Sequence, residues 1–248
     1  MSNPSSATVD NAEVDRFDAL AAEWWDANGK FRPLHKIGPS RLSFIRDTCL
    51  AHFPELSAAN RQPLSGLTLL DVGCGGGLIA EPLARLGAHV TAIDPAKQTI
   101  AAAQRHADKQ ELDVHYRAAV VEDLAAAGEQ FDVVTCLEVV EHVPDVRLFL
   151  EQCTSLVRPG GLFIGATINR TLKSYALAIV AAEYILGWLP RGTHRWDRFI
   201  EPNEFAADLR DNGLTDIKIE GLTYDPLAYK WSRSADKDVN YMISARNG

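Results

Sequence analysis

The sequence has few of the residues that staple, anchor or export a chain. Four cysteines and two methionines occur in 248 residues. Cys49, Cys74, Cys136 and Cys153 form no C-x-x-C pair, so neither a zinc knuckle nor a redox dithiol is indicated. Four scattered thiols in a chain of this length read as reduced and cytosolic. Positive charge is also scarce, with 25 Lys and Arg against 33 Asp and Glu for a net charge of −8. That balance argues against a broad basic face and so against general nucleic-acid binding. No uninterrupted apolar run reaches the ~20 residues that span a bilayer. The nearest, Tyr175 to Leu189, is broken by Glu183. The opening MSNPSSATVDNAEVDRF lacks the apolar core of a secretory signal, and its acids argue against a transit peptide. Internal repeats and low-complexity linkers are absent as well.

Hydrophobic residues make up 46 % and charged residues 23 %, enough for a full core in a soluble globular protein. Residues 1–12 are small and polar and are expected to be disordered. A single domain is expected over 13–248, with a helical cap over 13–60 and an inserted segment over 169–201. Val14, Phe17, Leu20, Ala21, Trp24 and Trp25 follow helical spacing, which predicts a helix from Val14 to Trp25. A second helix is expected from Pro39 to about Phe53. Strand signals then alternate with helical ones. Strands are expected at Leu67–Val72, His89–Ile93, Val114–Ala118, Phe131–Leu137 and Leu162–Ile168. Helices are expected at Leu78–Leu86, Ala96–Lys109 and Val146–Val157, the last closed by Arg158-Pro159-Gly160-Gly161, with an acidic turn at Glu122 and Asp123. Such alternation predicts a parallel α/β sheet. After a helix at Glu204–Asn212, Thr215–Leu222 and Val239–Ser244 should add an antiparallel pair at one edge.

The chemistry concentrates where the first strand meets its helix, in Asp71-Val72-Gly73-Cys74-Gly75-Gly76-Gly77-Leu78. Gly73 and Gly75 allow the backbone to approach a ligand and to offer N–H groups at a helix start. A dinucleotide fingerprint wants glycine where Leu78 stands, and Asp71 crowds the place of a pyrophosphate. Asp94 ends the second strand, where an acid accepts from ribose hydroxyls. Asp71, the glycines and Asp94 together suit a nucleoside with a cationic amino-acid tail, a description that S-adenosylmethionine meets.

LLDVGCGGG, Asp94, FDVVTCLEVVEHV and LVRPGGLF occur in this order and resemble the class I S-adenosylmethionine-dependent methyltransferases. A narrower set lies outside that half: WWD at Trp24, FRPLH at Phe31, Arg41, EVVEHVP at Glu138, TINR at Thr167, AEYI at Ala182, PRGTH at Pro190 and DVNYM at Asp238. With these the chain is similar to the ubiquinone-biosynthesis O-methyltransferases from about Phe17 to Tyr241. The resemblance implies a Rossmann-like, mostly parallel seven-stranded sheet whose last strand is antiparallel, with N-terminal helices and an inserted helical lid. It implies an O-methyltransferase acting at both O-methylation steps, on 2-polyprenyl-6-hydroxyphenol and on 3-demethylubiquinol. It also implies cofactor contacts at Arg41, Gly73, Asp94 and Leu137, where Leu137 replaces the methionine common in relatives. Divalent-metal positions, for Mg²⁺, are implied at Glu138, Glu141 and His142.

Methyl transfer to a phenol needs the oxygen in line with the methyl carbon and relieved of its proton, since a phenol of pKa ~10 is mostly protonated at neutral pH. Glu138, Glu141 and His142 follow the carboxyl end of a strand, where α/β sheets bind ligands. Three uses of the cluster stay open: a Mg²⁺ site, a metal-free general base at His142 assisted by Glu141, and a structural cap on the next turn. Trp24 and Trp25 read as core. His35 and His194 belong to the narrower match and are candidates for the substrate side.

Residues 170–200 carry Arg170, Lys173, Arg191, Arg195 and Arg198 against Glu183 and Asp197. This basic frame encloses the Tyr175–Leu189 run and its aromatics, the composition of a segment at an anionic membrane surface or of a substrate lid. The expected partners are therefore a polyprenylated phenol or catechol, an anionic membrane surface and other ubiquinone-biosynthesis enzymes, with no nucleic acid. The expected place is the cytoplasm, peripheral on the inner membrane of a bacterium. Two rival readings are a methyltransferase of another small phenol and a non-catalytic scaffold that keeps the cofactor fold.

Overall fold

A computed structural model of the chain describes residues 8–176 and 196–248. Eight strands share one sheet: β1 Thr68–Val72, β2 His89–Asp94, β3 Val114–Ala118, β4 Phe131–Leu137, β5 Val157–Ile168, β6 Leu214–Asp225, β7 Lys230–Ser234 and β8 Asn240–Asn247. Their order is β3-β2-β1-β4-β5-β8-β6-β7. The first five pair in parallel, while β8 is antiparallel to both β5 and β6. Strand β7 is the addition to the expected seven. It folds back on β6 through Asp225–Lys230 and forms the sheet edge.

Neighbouring residues along a strand supply opposite faces. Leu69, Val133, Ile164 and Met242 join one core with Ile37, Phe44, Ile45, Leu83 and Ala103. Leu70, Val134, Phe163 and Tyr241 join the other with Leu124, Phe149, Leu150, Phe205 and Leu209. Strands buried on both faces read as near-continuous apolar runs, which is why β1 and β4 are legible in the sequence. The first core takes α2 Arg32–His52, α3 Ala80–Arg85 and α4 Lys97–Lys109; the second takes α5 Val121–Ala126, α6 Val146–Ser155 and α8 Pro202–Asp211. A further short helix, α7, covers Leu172–Ser174.

Four local expectations change. The Val14–Trp25 helix is two pieces, α1 Asn11–Asp18 and a 3₁₀ turn at Ala21–Glu23. The break places Asp18 over the start of α4, where its carboxylate accepts from the backbone N–H groups of Gln98 and Thr99 at 2.7 and 2.9 Å. α1 opens at Asn11, capped by Asp10, within the stretch expected to be disordered. α2 starts at Arg32 and carries Pro39 inside, so its first turn is set by Pro33 and not by Pro39. An interior proline costs ~3 kcal/mol, and burial of Ile37, Arg41, Phe44 and Ile45 on the same helix offsets it. The acidic turn at Glu122 and Asp123 is the first turn of α5, where negative charge suits the helix dipole.

Most of the Tyr175–Leu189 run, with Arg191, His194 and Arg195, lies outside the described residues. Among the described residues no helix is long and apolar enough to cross a membrane. The described cations of the basic frame are paired: Lys173 with Asp236 and Asp238, Arg170 with Glu201 and Glu204, and Arg198 with Asp10.

Candidate active site

Strand order reverses between β1 and β4, and a crevice opens there above the carboxyl ends of the strands. A mostly apolar cavity of about 790 Å³ occupies it. Arg41, Asp71, Gly73, Gly75, Asp94, Leu137, Glu138, Glu141 and His142 all line this cavity. The residues singled out in the sequence therefore come together, although Arg41 arrives from a helix outside the cofactor half.

Asp71 stands one residue before the end of β1 with its carboxylate fully buried. Thr135 donates to Oδ1 at 2.8 Å, while Oδ2 has no partner. Burial pushes its pKa up to about 7, the Thr135 bond opposes this, and nearby Asp94 adds to it. Asp94 accepts from the Gly75 N–H at 3.0 Å and from the Ala96 N–H at 2.9 Å. Its carboxylate thus ties the glycine loop to the start of α4. Burial raises its pKa to about 6 against these two bonds. Each carboxylate oxygen keeps a free lone-pair direction, so ribose hydroxyls remain within the capacity of Asp94.

The glycine loop has a neighbour that the sequence reading assigned to the core. The Trp24 indole lies on Gly75 and Gly76, so closely that a methyl at either glycine would overlap the ring. Gly75 also has φ +52°, a conformation that side chains resist. Trp24 stacks on Phe31 with ring centres 3.9 Å apart, and its buried Nε1 lacks a partner. Trp25 donates from Nε1 to the Gly76 carbonyl at 2.9 Å and stacks on His106 at 3.5 Å. His35 reaches the Trp24 carbonyl at 2.8 Å, which gives it a structural partner in the N-terminal cap. Trp24 therefore closes one side of the cavity, and Trp25 ties the same block to the glycine loop.

Leu137 ends β4, and Glu138 follows with φ +57°. Non-glycine residues in that region carry strain and cluster at functional sites. Glu138 pairs with the buried Arg41 at 2.8 Å, whose Nε has no partner. A 3₁₀ turn at Val140–His142 then presents Glu141 and His142. Thr167 donates to Glu141 Oε2 at 2.8 Å, and Oε1 is unpartnered. Burial, reinforced by the charge of Glu138, holds the Glu141 carboxyl well above the usual range. His142 Nδ1 lies 2.9 Å from Glu13 of α1, and its ring meets Phe17 edge-on at 5.4 Å. Burial lowers its pKa, but the Glu13 bond and the charges of Glu141 and Glu13 outweigh this, so the net shift is upward.

The three donors proposed for a metal do not share a coordination shell. Glu138 faces a guanidinium, Glu141 a hydroxyl and His142 a carboxylate from another element, and among the described residues no cluster of metal-ligand type forms. A cation beside Arg41 would be repelled, so this arrangement does not fit Mg²⁺. Glu13 is the functional candidate that sequence reading missed. Its only signal is a place on an amphipathic turn, four residues before Phe17.

A family model described as "Methyltransferase domain" matches residues 70–165. The chain is 54 % identical to the ubiquinone biosynthesis O-methyltransferase of Azorhizobium caulinodans over 239 residues, covering 96 % of this chain and 94 % of that one. It is 54 % identical to that of Mesorhizobium japonicum over 248 residues, covering 100 % and 99 %. The chain belongs to the ubiquinone biosynthesis O-methyltransferase family. Magnesium protoporphyrin IX methyltransferase from Synechocystis, solved with bound SAH, shares the fold at a TM-score of 0.68 and 20 % identity, with 96 % of this chain and 100 % of that one covered. A methyltransferase from Thermotoga maritima does so at 0.65 and 16 %, with 94 % and 98 % covered. Family membership makes the chain an O-methyltransferase, and the fold is the class I methyltransferase fold that the resemblance implied, with eight strands in place of seven.

Proposed function

We propose that this O-methyltransferase methylates the phenolic oxygen of polyprenylated phenol and catechol intermediates, with His142 as the base. The observation that carries the reading is the His142–Glu13 pair on the wall of the cavity that also holds Asp71 and Asp94. S-adenosylmethionine, when bound, supplies the electrophilic methyl group. The residues fit it: the unpartnered Asp71 Oδ2 suits a cationic end, Arg41 Nε and Trp24 Nε1 are free donors for a carboxylate, and Asp94 suits ribose hydroxyls. His142 takes the phenolic proton, and Glu13 holds the ring and stabilises the imidazolium that forms. Glu141 stands in the same turn, buried beside His142. No step here runs through a metal.

The reading is tested by a methylation assay on demethyl-ubiquinol analogues, with non-prenylated catechols of other substitution as competitors. Turnover of the former in preference to the latter is expected. Preference for an unrelated phenol would replace the substrate, and failure to turn over any phenol would leave the scaffold reading. A working place at the membrane surface also belongs to this proposal. With the described cations paired, its support is apolar: Leu172 and Trp196 stand exposed, Trp196 donating to the Thr171 carbonyl.

A pH dependence follows from the two buried acids. Both carboxyls are raised above 3.8 in the folded chain, so without cofactor stability should fall as pH rises from about 4 to about 7 and level off above. A cationic ligand and ribose hydroxyls favour the carboxylates and lower both pKa values. Binding should therefore release protons, and affinity should rise with pH through about 6 to 7 and then become flat. About tenfold is expected for each pH unit that a group lies below its free pKa. Calorimetry at pH 5.5 and pH 8 in buffers of different ionisation heat measures the release. Equal heats in all buffers at the lower pH would contradict the placement.

A further inference from the structure

The cavity continues well past the turn that carries the proposed base. Its lining includes Ala119 and Val120 just past β3 and Asp94 at the end of β2, and continues to Tyr224 on β6 and Trp231 on β7. Five strand spacings separate β2 from β6 in the sheet, about 24 Å at ~4.8 Å each. The Glu138–His142 turn, at the end of β4, lies two spacings along. About 14 Å of cavity, three strand spacings, therefore continues past the turn that carries the proposed base. This arm is walled by Leu34 and Ile37 from α2, Leu222 and Tyr224 from β6, Pro226 from the hairpin and Trp231 from β7.

The arm is a built feature. Ser40 of α2 donates to the Trp231 carbonyl at 3.0 Å, and Arg233 of β7 reaches Asp47 of α2 at 2.7 Å while lying over the Phe44 ring. Tyr224 and Trp231 pair across the hairpin with ring centres 5.4 Å apart. Where the lining ends at Pro226, the hairpin tip exposes Leu227 by 92 % and Tyr229 by 69 %. A tip with two large apolar side chains in water is out of keeping with the ion-paired surface of the hairpin's own strands.

We propose that this arm is the binding channel for the isoprenoid tail of the substrate, which runs from the ring between α2 and the β6–β7 hairpin and leaves over Leu227 and Tyr229. The assignment rests on the proposed phenolic substrate and adds the residues that read its tail. It explains β7, the strand beyond the expected seven, as the outer wall of a hydrocarbon site. An apolar chain needs no polar partner there, and its binding grows with the area removed from water.

The test compares a catechol bearing a methyl group with the same catechol bearing a farnesyl tail, below the micelle concentration and without detergent. In the parent the farnesyl substrate is expected to show a KM lower by about tenfold or more. Trp231→Glu, and Pro226→Glu at the exposed tip where folding is not at risk, should bring the two KM values together. The ratio within one variant is the readout, so a general loss of activity does not mimic the effect. Equal KM values in the parent would overturn the channel and leave the proposed function standing. The parent ratio retained in both variants would overturn the location. Failure to methylate either catechol would overturn the proposed function and the channel with it.

Discussion

Replacing His142 by alanine is expected to lower turnover by about 10²- to 10⁴-fold, the range a positioned base contributes. Cofactor affinity should change little, because Asp71, Asp94 and the glycine loop are held by other partners. Glu13→Gln should act through His142. It keeps a hydrogen bond to Nδ1 but removes a charge that raises the imidazole pKa. A smaller fall is expected, about tenfold, with the rising limb of the kcat–pH profile displaced to lower pH because the imidazole loses its proton more readily. Full turnover in His142→Ala would remove the base. Steady-state kinetics with and without excess chelator separates the two uses of the cluster. A requirement for Mg²⁺ would return Glu138, Glu141 and His142 to a metal and would require the Arg41 and Glu13 pairs to open.

The second large effect is expected at Asp94. Alanine there removes the acceptor for the Gly75 and Ala96 N–H groups that shapes the loop, and with it the acceptor proposed for ribose hydroxyls. Hydrogen bonds to a charged group contribute roughly 1.5–3 kcal/mol each, so the loss of one or two predicts an affinity lower by about 10- to 100-fold or more. Asp94→Asn keeps one carbonyl acceptor and should fall between parent and alanine. Calorimetric titration of variants whose circular dichroism matches the parent measures both. Parent affinity in Asp94→Ala would show that the loop stands without its carboxylate and that the ribose is held elsewhere.

The sequence alone located the strand ends that gather around the cavity. Strands β1 and β4 are short and buried on both faces, so their composition is apolar along nearly the whole run, and Asp71 and Leu137 stand at their carboxyl ends as Asp94 stands at that of β2. Strand ends are where an α/β sheet binds ligands, so a linear reading of strand boundaries was also a reading of the site. The local motif of Glu138, Glu141 and His142 was legible for the same reason. Its use was not, because that depends on what each side chain meets. Glu138 turns to Arg41, nearly a hundred residues earlier, and His142 turns to Glu13, on a helix that periodicity joined to the next turn. Pro39 hid the first turn of α2, since local chemistry marks a proline as a boundary and only packing overrides it. Trp24 looked like core because its spacing is that of a buried stripe; the fold places that stripe against the glycine loop. The β6–β7 hairpin carries half-exposed and exposed residues without clean alternation, so its strand and the arm of the cavity behind it come from pairing with β6 and from contact with α2. Local pattern set the sheet and the strand-end carboxylates. Long-range packing of the N-terminal cap and the last hairpin decided how the site is enclosed.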